Sequence, residues 1–420
     1  MIKINKDTSM VFLLGLFSTF QLVEIGGVSI FSLILFIFAV KTILTYQFKI
    51  ENRQIFLLLL SICFSQVMCL FISVPNASQW RVASYKAFAL FIALFFTYSY
   101  VKKADRWKVF FHGVYISCII QVFWCYAQFI IYRLFGAYLN NQIFVRLLKM
   151  WNANELQGRV ITGLNTNSGL LVPILFFVII MGRQTIIRLL AYGLCFLSGN
   201  STCVICGLLY VVFLIIFGKK NLLKPSAVSK KKMLGIALSG LIFLLVMLAS
   251  NELSSRIFNS INDLIGRLSS VRTGESIVGS TYTHLRYYTS IPYLFSNLNI
   301  LNILFGFGLS CAGLPFVMHY NQYTSKIYVP ESDPITYLWG TGIIGGFLFY
   351  KILIQSMIQG YNVDKKYFLF FITVLVCGIF YNNQMNWLIL AEWLIIEGIR
   401  RGEQMDVYCE IKALENSGMG

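Results

Sequence analysis

The residues best suited to chemistry gather in two stretches. In Gly158-Arg159-Val160-Ile161-Thr162-Gly163-Leu164-Asn165-Thr166-Asn167, an arginine beside a glycine precedes two asparagines and an apolar run. Backbone N–H groups at a helix start attract anions, and a guanidinium adds a bidentate fork, so the stretch suits phosphate binding. It suits a plain loop and helix cap as well. The second stretch contains Thr283-His284-Leu285-Arg286-Tyr287-Tyr288, then His319, and closes with Glu331-Ser332-Asp333-Pro334. His284, Glu331 and Asp333 have side chains able to take a proton from a hydroxyl. Arg286 can hold an anion or snorkel to lipid phosphates. His284 and His319 also suit ordinary surface positions, and Glu331 and Asp333 suit helix caps, Asp333 above all. Glu392 falls within an apolar run, where a buried carboxylate is costly and often functional, unless it sits near the end of its span. His112, near the start of another run, reads as interfacial.

The elements that must hold these residues are membrane spans. Of 420 residues, 57% are hydrophobic and 12% charged, and mean hydropathy is +0.72. Soluble proteins average about 25% charged residues, so too few charges remain to cover a water-facing surface. Phe (37) and Tyr (23) are abundant, as expected at lipid tails and the membrane boundary. The net charge of +17 does not read as nucleic-acid binding, because Lys and Arg fall between apolar runs in a topological pattern.

Helices crossing about 30 Å of hydrocarbon need about 20 apolar residues. Candidate spans lie near 9–23, 27–46, 54–73, 84–101, 107–134, 166–182, 184–199, 201–218, 233–250, 334–353, 367–382 and 385–399. The expected fold is all-α: a single integral membrane domain over 1–420 with about 12 transmembrane helices. Lys102, Lys103, Arg106 and Lys108 follow the fourth span, and Lys219, Lys220, Lys224 and Lys230 to Lys232 follow the eighth. Basic connections stay in the cytoplasm, which places both termini there. Lys3 and Lys6 before an apolar run resemble a signal peptide, but no small-residue cleavage site follows, so the run is expected to be a retained helix.

The opposite face then receives a smaller loop, 135–165, and a large one, 251–333. In the large loop, Ile257, Ile261, Leu264, Ile265 and Leu268 form one stripe of an amphipathic helix, suited to the membrane interface or to packing on neighbouring spans. Of ten cysteines, only Cys311 falls in that loop, and one thiol cannot staple it. Cys203 and Cys206 form a CxxC inside a span, where they read as small interior residues. Gly340, Gly342, Gly345 and Gly346 permit close helix approach. No phosphate-binding P-loop, dinucleotide fingerprint or metalloprotease motif occurs where it would be meaningful.

The arrangement resembles the bacterial O-antigen polymerase and O-antigen ligase superfamily. The matching elements are Arg159 to Gly163 with Asn165 and Asn167 before a span; Arg286, aromatics and then Gly306 and Gly308; and Ser332-Asp333 leading into Leu338, Gly342 and Gly345. The chain departs from the ligases in carrying Glu331 to Asp333 where they have a His, which points to the polymerase branch. It also has Asn200-Ser201 where many relatives have Ser-Arg. The resemblance implies an inner-membrane glycosyltransferase, independent of metal, ATP or cofactor. It would join undecaprenyl-diphosphate-linked oligosaccharide repeats into O-antigen or capsular polysaccharide at the outer face. Ligation to lipid A core and flipping of lipid-linked sugars are the alternatives. It further implies membrane lipids, a chain-length regulator and a flippase as partners. Arg286, Asp333, Glu331 and His284 would be catalytic, with Arg159, Asn165, Asn167, Tyr287, Tyr288 and His319 binding substrate. Arg159 and Arg286 are expected to face a common pocket.

Overall fold

A computed structural model describes residues 6–25, 28–45, 52–74, 76–103, 106–151, 161–165, 168–182, 184–198, 200–221, 287–320, 329–380 and 386–403. The predicted span 233–250, the amphipathic stretch 253–268 and most of the large loop lie outside them. The described chain is mostly helical, with two-residue strands at Glu24–Ile25 and Val28–Ser29. Its helices are α1 (Lys6–Leu16), α2 (Ile30–Leu44), α3 (Arg53–Leu70), α4 (Ala77–Val101), α5 (Arg106–Phe135), α6 (Leu171–Met181), α7 (Thr185–Leu197), α8 (Ser201–Asn221), α9 (Ile291–Asn297), α10 (Ile300–Phe305), α11 (Leu314–Tyr320), α12 (Asp333–Val363), α13 (Lys365–Phe380) and α14 (Asn386–Arg400). Every predicted span except 233–250 overlaps one of them. Four, namely α3, α4, α5 and α12, are long and apolar enough to cross a membrane, and α1, α2, α6, α7 and residues 202–213 of α8 are shorter apolar helices.

Local chemistry starts these helices. Ser29 accepts a hydrogen bond from Ser32 N at 3.2 Å to open α2. Asn52 Oδ1 accepts from Gln54 N and Ile55 N at 3.0 and 3.2 Å to open α3. Each cap occupies N–H groups that the first turn leaves without helical partners. The outer faces are apolar: Leu57, Leu60, Phe64, Val67 and Phe71 are all exposed and recur at helical spacing on and just beyond α3. In water this stripe would be unfavourable; against lipid it is the expected exterior.

The chain falls into two compact units: residues 1–18, 28–113 and 278–420 form one, and 19–27 with 114–277 the other. In the first, α4 is held by polar contacts at both ends, and an ion pair stands near its finish. Near its start, Arg81 Nη2 donates to the Ile72 carbonyl at 2.7 Å and Ser84 Oγ donates to Gln66 Oε1 at 2.8 Å. Near its finish, Tyr100 OH donates to Asp7 at 2.9 Å, Asp7 pairs with Lys41, and Arg401 donates to the Lys102 carbonyl at 2.8 Å. The guanidinium of Arg106 lies 4.1 Å from the centre of the Tyr100 ring. The basic connections thus meet at one end of this unit.

The helix α12 is broken. Gly342 has φ +72°, ψ −179°, outside the helical region. Along an unbroken helix residues 337 and 349 would be about 18 Å apart. The rings of Tyr337 and Phe349 instead stack with centroids 3.7 Å apart, so the chain turns back at Gly342. A β-carbon at Gly342 would lie 2.2 Å from the Leu304 carbonyl oxygen, so only glycine fits. The break frees backbone carbonyls, and the Gly306-Phe307-Gly308 segment supplies donors: Phe307 N to Trp339 O at 2.8 Å and Gly308 N to Gly340 O at 3.0 Å. Non-helical backbone within a membrane protein needs such partners.

Candidate functional site

The first unit assembles a buried acidic and phenolic site from α12, α13, α14 and the helical residues 287–289 before α9. Asp333 opens α12 and is 2% exposed; Ser332 stands at the capping position but makes no capping bond. Pro334 follows where a missing N–H costs nothing. The Asp333 carboxylate packs against α13, so close that a β-carbon at Gly378 would lie 2.6 Å from Oδ2. Glu392, in the middle of α14, is fully buried rather than near its end. Tyr337, one turn along α12 from Asp333, is buried as well. Glu397, one helical turn and more along α14, belongs to the other end: it pairs with Arg400 at 2.7 Å and Arg401 at 3.0 Å.

Tyr288 closes the site. Its hydroxyl donates to the Ile379 carbonyl at 3.0 Å and lies 2.7 Å from Ser332 Oγ. A phenol has one proton, so with that proton on Ile379 it accepts from Ser332. The Ser332 hydroxyl thus faces Tyr288 and makes no capping bond. Burial chiefly, with Asp333 adding, pushes the Tyr288 phenol above its ordinary value, while the Ser332 bond pulls the other way. The group is therefore a neutral hydrogen-bonding phenol at neutral pH. A site holding carboxylates beside phenols can accept a proton and orient a hydroxyl, which is the chemistry of a general base and its positioning groups.

The other expected site residues fall differently. Tyr287 is buried, with its ring 5.3 Å from Phe316 in an apolar cluster containing Leu294, Ile335 and Trp339. Glu331 is exposed beside the helix start. His319 sits half-buried on α11, its ring perpendicular to that of Tyr293 with centroids 5.9 Å apart, and its Nε2 has no hydrogen-bond partner. Arg159, Asn167, His284 and Arg286 lie outside the described residues.

Asn165 belongs to a different device, in the second unit. Residues 161–165 form an irregular buried segment held by amides of α5. Gln128 Oε1 accepts from Thr162 N and Gly163 N at 3.1 and 2.9 Å, and Gln121 Oε1 accepts from Leu164 N at 2.7 Å. Asn140 Nδ2 donates to the Gly163 carbonyl at 2.8 Å. Asn165 itself is 2% exposed and donates to the Thr162 carbonyl at 3.3 Å. Its amide thus holds the turn that precedes α6. The glutamines were not singled out by sequence, although polar residues at 121 and 128 of an apolar run are the signal of an internal partner.

Among the described residues no group of three or more His, Cys, Asp or Glu side chains is arranged to hold a metal ion. No protein-family model matches the chain, and a search of characterised proteins finds no match.

Proposed function

We propose that this chain is a bacterial inner-membrane glycosyltransferase that joins polyprenyl-diphosphate-linked oligosaccharide repeats into a surface polysaccharide, with both termini cytoplasmic and about twelve spans. The observation that carries the proposal is the buried Asp333 site, with Ser332 and Tyr288 beside it. It stands on the segment whose sequence resembles the polymerases, two residues after Arg286 at its Tyr288 member. In the proposed reaction Asp333 takes the proton from the acceptor sugar hydroxyl. The hydroxyl oxygen attacks the anomeric carbon of the growing chain, and the bond to diphosphate breaks. Arg159 and Arg286 are each assigned to diphosphate, whose charge a guanidinium binds through two hydrogen bonds. Diphosphate is already a good leaving group, so positioning and charge stabilisation are the main tasks.

The test is the polysaccharide pattern of cells carrying Arg286→Ala or Asp333→Asn in place of the native chain. Protein level and membrane insertion should hold while long polymer is lost and single repeats accumulate. Normal polymer length in both variants removes the proposal.

A carrier for lipid-linked sugars is the second reading, favoured by the break in α12, a helix that opens on the buried Asp333, since carriers often bind at discontinuous helices. Against it, the carbonyls of Trp339 and Gly340 are already occupied by the Gly306-Phe307-Gly308 segment. A carrier defect would leave repeats on the cytoplasmic leaflet; a polymerase defect leaves them outside, unjoined. Ligation to lipid A core would instead be marked by free polymer on its carrier.

A further inference from the structure

We propose that Cys69 and Cys311 form a disulfide bond that fastens the turn at residues 308–311 to the end of α3. The proposal rests on the orientation proposed above, in which this end of α3 faces the outside. Sequence left Cys311 as a lone thiol in its loop; the fold brings a partner 242 positions away. Both are free thiols in the structure, and the turn that carries Cys311 passes so near Cys69 that a β-carbon at Gly308 would lie 3.3 Å from Cys69 Sγ. Cys311 Sγ also approaches the Trp80 carbonyl at 3.4 Å. Both cysteines are fully buried in an apolar cluster with Ile72, Trp80, Phe307 and Leu314.

The backbone is shaped for this meeting. Gly308 has φ +103°, and a β-carbon there would lie 3.0 Å from Cys69 Cβ and 2.4 Å from Ser84 Oγ. Only glycine lets the loop come so near α3. Cys311 N then donates to the Gly308 carbonyl at 3.0 Å, closing a turn that directs Cys311 back toward Cys69. Of the same segment, Phe307 N and Gly308 N satisfy the broken α12. A covalent link at 311 would therefore hold in place the segment that completes the break.

The bond forms by thiol–disulfide exchange with a disulfide-bearing oxidant, such as an oxidised protein dithiol of the extracytoplasmic space. One thiol loses its proton and attacks the oxidant's disulfide, giving a mixed disulfide and one free thiol on the oxidant. The second thiol loses its proton and displaces the oxidant's other sulfur. The two cysteines give up two protons and two electrons, and the oxidant's disulfide is reduced to a dithiol. Burial of both groups places this step before the turn packs.

The test uses the full-length chain in membranes from growing cells, quenched in acid and denatured. Free thiols are blocked with N-ethylmaleimide, disulfides are reduced, and newly exposed thiols receive an isotopically heavy maleimide. Mass spectrometry should find Cys69 and Cys311 mostly heavy and the remaining cysteines light. In Cys69→Ser, Cys311 should become light. Light label on both in the native chain overturns the proposal. A parallel sample of reduced membranes treated with diamide separates the causes. Linkage with diamide alone shows adjacent thiols and a failed orientation; no linkage under either condition shows that the thiols do not meet.

Discussion

The α-carbon of Gly378 faces the carboxylate of Asp333 so closely that a methyl group there would lie 2.6 Å from Oδ2. Gly378→Ala must displace the carboxylate or α13, at a cost of about 1–3 kcal/mol typical of overpacking. Thermal unfolding in detergent should show the loss in the native background and a smaller one in Asp333→Ala, where the carboxylate is gone and only the 3.2 Å approach to Cβ remains. Equal losses in the two backgrounds would mean that the contact does not govern the position of Asp333.

Tyr288→Phe removes a hydroxyl that joins Ser332 to Ile379. Each hydrogen bond contributes about 0.5–1.5 kcal/mol, so stability should fall modestly. The pH dependence has a definite sign. The native phenol titrates above its unfolded value of about 10. Its neutral form therefore stabilises the fold fully below that pH, and the contribution disappears as pH rises through the native value. Between pH 9 and 12 the native chain should lose more stability than Tyr288→Phe. Parallel curves would contradict the assignment.

Gly342→Ala should be far worse than Gly346→Ala. The first puts a β-carbon 2.2 Å from the Leu304 carbonyl at φ +72°, whereas nothing approaches nearer than 3.7 Å at Gly346. Strained backbone alone costs about 1–3 kcal/mol. Folded yield by size-exclusion chromatography in detergent should collapse for Gly342→Ala and stay near native for Gly346→Ala. Similar yields would count against the break.

Gln128→Leu leaves Thr162 N and Gly163 N without their acceptor. A buried group deprived of its partner costs about 1–3 kcal/mol, so the segment 161–165 should loosen. Limited proteolysis should cut near it faster than in the native chain, and Gln128→Glu, which keeps the acceptor oxygen, should restore part of the resistance. An unchanged cleavage rate in Gln128→Leu would remove the anchoring role.

Reporter fusions check the orientation. A phosphatase fused after Phe71 should be active and one after Lys103 inactive, because these positions end α3 and α4 at opposite ends of their unit. The reverse pattern would invert the proposed topology.

Apolar runs announced most helices because length and hydropathy are local properties. The run 54–73 became α3 and 107–134 became α5 with ends shifted by a few residues. The break in α12 was not legible. Glycines at 340, 342, 345 and 346 read as packing positions, and the distinguishing fact at 342 is a carbonyl of Leu304 nearby, a nonlocal contact. Gly345 does serve packing: a β-carbon there would come within 2.8 Å of Ser61 Oγ on α3. Asp333 looked like a helix cap, yet the capping position belongs to Ser332 and the carboxylate turns toward Gly378. That preference is set by α13, which no pattern around 333 describes. Cys311 seemed solitary for the same reason. Of the expected site, Tyr288 and Asp333 come together through Ser332, while Asn165 serves its own turn.

The pairing of Gly306-Phe307-Gly308 with the break in α12 also constrains biosynthesis. Synthesis runs from the N-terminus, so the donors at 307 and 308 leave the ribosome before the acceptors at 339 and 340. An unsatisfied backbone group in hydrocarbon costs several kcal/mol, so α12 would be a poor guest of the bilayer on its own. Its partner segment already exists when it emerges, and the earlier part of the chain thereby acts as an internal chaperone for the later one.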